Sequence, residues 1–471
     1  MITIDEIRTV AAKVLLANIV VEKDYALGWL LWGINQHSLA KQDWVFKGGT
    51  CLKKCYFETY RFSEDLDFSF SGSQTPTVES LTAILADVSD KIFEASGMEF
   101  PKESIRFEIF QNPRGSLSIQ GGIKYRGPVR PNVGLAQMQR IKIDITLDEP
   151  LVNPPVIRQV DHPYSDRPEE GITTLSYDYE EIFAEKVRAL AQRLRPRDLY
   201  DVIHLHRRMD LNPNQIKVRT VLQSKCNLRG IALPTLAAIE SHDNRAFLES
   251  EWENQLRHQI SVLPDFQSFL SELPQVLDWI GGEEAQELEK IGASEAGEQE
   301  TQIISESVSS LVLPGPVTSY LDRVRFAAAN RLRVRLGYNG EYRFIEPYSL
   351  ARSSDGNLLL RAIRSDNREA RSYRWDRIES VEVTNTTFVP SYIVEITSAG
   401  YLPIHQLTRS TSPTRSAPSK RLRSGPTYVF RCAVCGKIFR HKTRSSRLNE
   451  HKNKSGSRCY GRAAIFDRTE Y

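Results

Sequence analysis

The chain of 471 residues has no run of about 18 consecutive apolar residues, which a membrane-spanning helix would need. Its first residues lack the basic and apolar segments of a secretory signal peptide. Six cysteines are too few for a disulfide scaffold in a chain of this length. No internal repeat is evident, and the length predicts two to four domains. We therefore expect a cytoplasmic protein with reduced thiols and no membrane partner.

The small net charge of +3 hides a strong asymmetry along the chain. Residues 401–471 contain 16 Lys or Arg and 3 Asp or Glu, a net charge of +13, so the preceding residues carry −10. A strongly basic end on an acidic body is typical of a tail that binds nucleic acid. The alternative is a solvated tail without a partner.

The most informative segment, residues 46–70, combines a diglycine turn with a pair of aspartates. A short apolar strand runs into Gly48 and Gly49, which open a helix predicted from about residue 50 to 60. The free N–H groups of a helix start favour phosphate. Farther on, Asp65 and Asp67 alternate with apolar residues, so they share one face of a strand. Two carboxylates so placed repel each other unless a cation such as Mg²⁺ lies between them. Both features indicate nucleoside-triphosphate chemistry.

This arrangement resembles the polymerase β-like nucleotidyltransferase superfamily, and more closely its AbiEii/AbiGii-type nucleotidyltransferase toxin family. The resemblance spans about residues 10 to 270. It rests on blocks in the family's order: residues 21–25 (VEKDY), 46–50 (FKGGT) with Leu52 and Lys54, 61–67 (RFSEDLD), 185–190 (EKVRAL) and 197–201 (RDLYD). The resemblance implies an α/β (α+β) nucleotidyltransferase fold with helical additions.

Nucleotidyl transfer uses two metal ions, one beside the attacking hydroxyl and one beside the leaving pyrophosphate. Asp65 and Asp67 would supply the paired Mg²⁺ ligands. Asp144, on a strand where Ile and polar residues alternate, has the context of the superfamily's third carboxylate. Glu64 and Asp148 are its near competitors in sequence.

Several residues around the diglycine turn are expected to contact the triphosphate. The nucleotide-binding candidates are Gly48, Gly49, Thr50 and Lys53. Lys47 and Arg61 flank the same site, where either could neutralise phosphate charge or could equally be a surface cation.

The helical block near residue 190 carries the remaining catalytic candidates. By resemblance to the family, the functional lysine is Lys186, a point charge for the triphosphate. Asp198 matches the family's Arg-Asp-x-Tyr-Asp motif and is expected to position Lys186, an arginine or the acceptor. Asp201 lies three residues on, so the two carboxylates share a helix face. For Asp201, simple ion pairing is equally expected.

A unit that follows the transferase resembles the WYL domain of bacterial regulators and defence proteins. The matching segments are Tyr338, 343–348 (RFIEPY), 355–357 (DGN), 371–373 (RSY) and 376–378 (DRI). Where that family has Trp-Tyr-Leu, this chain has three leucines at 358–360, which leaves ligand binding open. A small β-rich packing domain is the alternative.

Near the end of the chain, cysteine and histidine follow a pattern typical of zinc ligands. The predicted set is Cys432, Cys435, His451 and Cys459, with His441 as a spare. Fifteen residues separate Cys435 from His451, against about 12 in ordinary C2H2 fingers. A module this short cannot build a stable core alone, which favours structural Zn²⁺. The module is expected to bind nucleic acid, or alternatively a protein.

These patterns divide the chain into five parts. The predicted divisions are 1–275 (nucleotidyltransferase), 276–317 (acidic linker), 318–400 (WYL-like β-rich domain), 401–427 (basic linker) and 428–471 (zinc-finger-like module).

The toxin-family resemblance implies an enzyme that moves NMP from an NTP to an acceptor, with tRNA 3′ ends a known type of acceptor. It also implies the toxin of a bacterial toxin–antitoxin or phage-defence system, with an antitoxin as partner. One alternative is a nucleic-acid-sensing regulator with an inactive transferase fold, which the intact Asp65 and Asp67 disfavour. The other is a small-molecule nucleotidyltransferase, which would not need the basic tail.

Overall fold

The computed structural model describes residues 1–57, 60–111, 117–208, 211–283, 288–291, 300–303, 317–353, 355–396, 427–441, 446–453 and 455–470. Most of the expected acidic linker and nearly all of the expected basic linker lie outside these residues. Within the described part of the chain, no helix is both long enough and apolar enough to cross a membrane.

The first unit is a mixed sheet surrounded by helices. Its strands are β1 (Trp44–Lys47), β2 (Asp65–Phe70), β3 (Arg106–Gln111), β4 (Leu117–Tyr125), β5 (Gln139–Thr146), β6 (Val156–Gln159) and β7 (Thr173–Ser176). They lie in the order β3-β4-β5-β2-β1-β7-β6, and the β2–β5 and β1–β7 pairs are parallel. The larger helices are α1 (Ile4–Val14), α2 (Asn18–Gln36), α5 (Val78–Ser96), α6 (Tyr179–Arg193), α7 (Pro196–Arg207) and α8 (Gln215–Arg229). Shorter ones are α3 (Ser38–Asp43), α4 (Gly48–Cys51), α9 (Leu236–Glu240), α10 (Arg245–Ser250), α11 (Trp252–Leu256), α12 (Phe266–Leu270) and α13 (Leu273–Gly281).

Strand β5 shows how the sequence pattern divides the sheet into two faces. Ile141, Ile143 and Ile145 are fully buried, and the residues between them lie on the opposite face. The apolar face is covered by α2 and α5, which approach each other closely at Gly33. A Cβ on Gly33 would lie 2.7 Å from a Val88 methyl group. The polar face of the sheet therefore remains for the site.

The helix after the diglycine turn is shorter than the sequence predicts. We expected helix from about residue 50 to 60, but the regular turn of α4 passes into a π-helical segment, Leu52–Tyr56, and the backbone is extended at Phe57. The physical reason is burial on every side: the segment's five residues are all buried, and Lys54 reaches Asp24 across 2.7 Å. Such π-turns are frequent at functional sites.

The second unit is β-rich and packs on the first. It comprises β8 (Glu300–Ile303), α14 (Val317–Ala329), β9 (Leu332–Tyr338), β10 (Glu341–Ser353), β11 (Leu358–Arg364), β12 (Ala370–Arg374) and β13 (Ile378–Thr387), in the order β12-β11-β10-β9-β13 with β8 on β10. The three leucines at 358–360 are buried in β11. The Tyr200 hydroxyl of α7 donates to Asn330 Oδ1 at 2.9 Å, which joins the two units.

The third unit is small and has its own apolar cluster. Its strands are β14 (Thr427–Cys432), β15 (Ile438–His441), β16 (His451–Lys452), β17 (Arg458–Cys459) and β18 (Ala464–Glu470). It contacts α5 through Lys437, 2.7 Å from Glu94, and Lys452, 2.6 Å from Asp90. The expected fold class is confirmed: an α/β transferase unit, a separate β-rich unit and a module around a Cys/His cluster.

Candidate active site and metal centre

Strand register brings the three predicted carboxylates onto one face of the sheet. Asp67 of β2 lies opposite Asp144 of β5, and Asp65 lies one side-chain position along the same face. The two sequence competitors of Asp144 are engaged elsewhere. Glu64 accepts from Lys23 Nζ at 2.8 Å, and Asp148 accepts from the Leu117 N–H at 3.1 Å.

Burial and neighbouring carboxylate charge raise the pKa of Asp67 and of Asp144. Burial, and then the charge of Asp144, raise the pKa of Asp67 to about 6, although Lys47 acts against both. Burial also raises the pKa of Asp144, and the charge of Asp65 adds to it while Lys47 and Gln120 oppose it. Like charges held together in this way fit a divalent cation with oxygen ligands. Among the described residues, the Cys/His set of the third unit is the group whose ligand atoms lie close enough together to hold a metal ion, and the three carboxylates are not part of such a group.

Gly48 allows the backbone to pass directly beside Asp67. Its φ of +82° is a left-handed conformation, and a Cβ there would lie 2.3 Å from Asp67 Oδ2. At Gly49, a Cβ would lie 2.5 Å from Arg61 Nη2. The Thr50 hydroxyl donates to the Asp65 carbonyl and so ties the turn to β2. The diglycine turn and the carboxylates are thus one structural unit.

The cations near the site are buried and paired. Lys47 bonds Glu149 and Thr146, and Arg61 makes a two-pronged contact with Asp201 at 2.7 and 2.8 Å. The alternative that either is a surface cation is therefore wrong. Both were ambiguous in the sequence because their buried carboxylate partners lie 102 and 140 residues away.

Lys53 has a similar arrangement. Its Nζ is 3.5 Å from Asp161 and lies 5.3 Å from the ring centre of Phe62. Its predicted contact with the triphosphate stays a prediction.

Lys186 lies at the centre of a second charge network. Its Nζ is 2.7 Å from Asp201 and 3.6 Å from Asp198, while Arg193 holds Asp198 at 2.6 and 2.8 Å. Burial disfavours ionised Asp201, but the charges of Arg61 and Lys186 outweigh it and lower its pKa. Lys186, Asp198 and Asp201 thus belong to one buried network, and Asp201 links it to Arg61.

A profile of the family described as "Nucleotidyl transferase AbiEii toxin, Type IV TA system" matches residues 29–275, more than half of the chain. The chain belongs to the AbiEii nucleotidyltransferase toxin family. It is therefore a nucleotidyltransferase toxin by family. The diglycine turn, the three carboxylates and Lys186 all lie within the matched residues. Residues 319–383 match the WYL domain, which confirms the second resemblance.

Two solved structures are similar to this AbiEii-family chain. One is the nucleotidyltransferase toxin MenT4 of Mycobacterium tuberculosis H37Rv, with 18% identity, 59% of this chain and 90% of that chain covered, and a TM-score of 0.40. The other is the proteasome accessory factor B/C of Arthrobacter aurescens, with 12% identity, coverage of 80% and 73%, and a TM-score of 0.16. TM-scores this low do not establish a shared fold. A search of curated proteins found no match.

Sequence reasoning missed two features of this AbiEii-family site. Glu149, the buried partner of both Lys47 and Lys225, follows β5 in a loop where no pattern marks it. Arg197 is half-buried, and its Nε has no hydrogen-bond partner among the described residues. Burial, and then Arg61, lower its pKa, while the nearby charge of Asp65 opposes them. Its place in the RDLYD block was the signal that could have found it.

The Cys/His set of the third unit forms a compact ligand cluster. The ligand atoms of Cys432, Cys435, His451 and Cys459 all lie within 4.8 Å of one another. Cys435 Sγ is 3.2 Å from His451 Nε2, and His451 Nδ1–H donates to the Asn449 carbonyl at 3.0 Å. That bond leaves Nε2 free to coordinate, as in metal-bound histidines. The donor set fits tetrahedral Zn²⁺. The side chain of His441, the spare, lies outside the described residues.

Proposed function

We propose that this toxin transfers NMP from an NTP to an RNA acceptor, such as a tRNA 3′ end, in a reaction that depends on Mg²⁺. The observation that carries the proposal is the strand register that aligns Asp67 with Asp144, with Asp65 on the same face and Gly48 beside it. Three carboxylates next to a helix start form the donor set that a metal–triphosphate complex requires.

In the proposed reaction, an acceptor hydroxyl oxygen attacks the α-phosphorus of the NTP. The new P–O bond forms, the bond to pyrophosphate breaks, and the hydroxyl proton leaves to solvent. Asp65, Asp67 and Asp144 would hold Mg²⁺, which supplies charge neutralisation at the attacking and leaving oxygens. Gly48 and Gly49 would bring backbone N–H groups to the phosphates.

Lys186 would supply the fixed cation of the site. Its ion pairs with Asp201 and Asp198 hold the ammonium group in place before substrate arrives, so little reorganisation is needed when the triphosphate binds. Asp198 acts as a positioning residue because it is held by Arg193 on its other side. Thr50 contributes by fixing the diglycine turn to β2. Lys53, on the π-helical segment, would contact the triphosphate.

The remaining parts of the chain take supporting roles in this proposal. Cys432, Cys435, His451 and Cys459 bind one structural Zn²⁺, which stabilises the module at residues 428–471. The predicted limits 1–275 and 318–400 stay proposals for the transferase and WYL-like units. The first limit falls within α13 (Leu273–Gly281), and the second range leaves out β8 (Glu300–Ile303), which pairs with β10. The protein acts in the cytoplasm, where an antitoxin restrains it.

The decisive experiment incubates the purified protein with α-labelled NTPs, Mg²⁺ and total cellular RNA, followed by gel separation. We expect label on a discrete RNA band, absent with Asp67→Asn and retained with Asp148→Asn, an exposed aspartate near the site. Label on no RNA would refute the RNA acceptor, and label on a small molecule would favour the small-molecule alternative.

A growth assay tests the toxin role separately. Expression of the chain alone should slow growth, and the Asp67→Asn variant at equal protein level should not. Equal growth of both strains would contradict toxicity by transfer.

A further inference from the structure

The polar face of the sheet continues past the carboxylates to the free edge at β3. One cross-strand row runs from Arg106 through Gly122 and Lys142 to Asp65. The next pair toward one end of the strands is Lys124 and Arg140. Neighbouring strands lie about 4.8 Å apart. Lys142 is on the strand next to that of Asp65, and Arg106 is three strands, or about 14 Å, from it. This face is directly continuous with the proposed reaction site.

The four cations on this face form no ion pair with a carboxylate in the part of the chain that the structure describes. Arg106, Lys124 and Arg140 bond only backbone carbonyls, such as Lys124 Nζ to the Leu135 carbonyl at 2.7 Å. Lys142 is exposed, and its side chain forms no hydrogen bond or ion pair with the described residues. Carbonyl contacts do not neutralise these charges. Glu108, exposed on β3 between Arg106 and Phe110, lies on the same face, so four cations stand against one carboxylate outside the reaction site and the face is net positive. By contrast, the cations nearest the carboxylates, such as Lys47 and Lys186, are paired.

The shape of the face also suits a chain of phosphates. Gly122 lies between Arg106 and Lys142, at a φ of +154°, and a Cβ there would lie 2.1 Å from the Ile141 carbonyl oxygen. The row therefore has no side chain at its centre. Phe110 lies on the same face, 46% exposed. A net positive face with an exposed aromatic ring is the combination that binds single-stranded nucleic acid through phosphates and stacked bases.

The zinc-ligand module does not compete for this surface. It contacts α5, which covers the apolar side of the sheet, through Lys437 and Lys452. Side chains of successive strand residues point to opposite faces, so the cations of β4 and β5 lie on the other side.

We propose that this surface, the acceptor face (Arg106, Phe110, Lys124, Arg140 and Lys142), binds the sugar-phosphate backbone of the RNA acceptor and directs its terminal hydroxyl to the carboxylates. This inference rests on the proposed function, because it assigns the substrate-binding surface of the same site. Charge complementarity and continuity with Asp65 select a polynucleotide as the occupant.

The test measures binding of a fluorescein-labelled single-stranded RNA to the full chain without NTP, by anisotropy across a range of salt concentrations. Lys142→Gln with Arg140→Gln should weaken binding and reduce the slope of log K against log salt by about 1.4, since two phosphate contacts are lost. Lys142→Gln alone should reduce it by about 0.7. The matched control, Lys13→Gln with Lys41→Gln, removes two exposed charges elsewhere and should leave the slope unchanged.

The outcomes separate this inference from the proposed function. If the acceptor-face and control variants show the same slope while the parent protein labels RNA, the inference is wrong and the function stands. If the slope falls as expected but no RNA is ever labelled, RNA binding by this face stands, and its role in directing an acceptor hydroxyl fails together with the RNA-transfer function. No RNA binding by the parent protein overturns the inference. Melting curves check that the Arg140 variant folds, and the Lys142 single variant decides the matter if it does not.

Discussion

Replacing Gly48 with alanine should separate catalysis from stability. A left-handed conformation costs a residue with a Cβ about 1–2 kcal/mol. The new Cβ would also lie 2.3 Å from Asp67 Oδ2, where ordinary contact begins at 3.4 Å. The carboxylate must therefore shift by about 1 Å, and a misplacement of this size costs about 10²-fold in rate. We expect kcat/KM for label transfer to fall at least about 10²-fold.

Gly230→Ala is the matched control. Gly230 caps α8 with a φ of +62°, and nothing lies within 4 Å of its would-be Cβ. It should lose the same 1–2 kcal/mol of unfolding free energy, measured by denaturant titration, yet keep its transfer rate. If Gly48→Ala transfers label within threefold of Gly230→Ala, the close approach of turn and carboxylate has no catalytic role.

Three further predictions concern the metal ligands, the lysine network and the third unit. Asp144→Asn should lower the transfer rate about 10²-fold or more. It should not lower the melting temperature, because it removes a charge that repels Asp67. A normal rate would show that Asp144 is not a metal ligand. Lys186→Ala should lower kcat/KM about 10²-fold. Arg193→Ala removes the other cation paired with Asp198 and should mainly lower the unfolding free energy. Equal rates for the two variants would show that Lys186 has only a structural role. Elemental analysis should find one zinc per chain and less in Cys435→Ser, and an equal zinc content in both would refute the ligand set.

The transferase fold was predictable where local pattern and long-range packing agree. Alternation of Ile141, Ile143 and Ile145 with polar residues predicted β5 and its buried face. The first residues of α5 and α6 follow from their N-caps, Thr77 and Asp178, whose side chains accept backbone N–H bonds. The π-helical turn before Phe57 was not predictable, because it depends on the contact of Lys54 with a distant carboxylate.

The residues of the candidate site could be predicted from the sequence, but the residues that they pair with could not. The Asp-x-Asp strand and the diglycine turn are defined by local residue spacing, so both could be predicted from the sequence. The pairing of Asp67 with Asp144 depends on a parallel register between strands 77 residues apart in sequence. The same limitation applies to Arg61 with Asp201 and to Lys47 with Glu149. Local spacing cannot tell a buried, paired cation from an exposed one.

The basic end of the chain forms ion pairs with the acidic body. Lys437 and Lys452, in the basic end, pair with Glu94 and Asp90 of the acidic body. These pairs are partly exposed, so each contributes only about 0–1 kcal/mol and weakens with salt. RNA phosphates and the α5 carboxylates would therefore compete for the same lysines. It follows that Lys437 and Lys452 can add to RNA binding only if they leave α5, whereas the cations of the acceptor face pair with no carboxylate among the described residues. Phosphate binding at the acceptor face therefore breaks no ion pair among the described residues, whereas phosphate binding at Lys437 or Lys452 does.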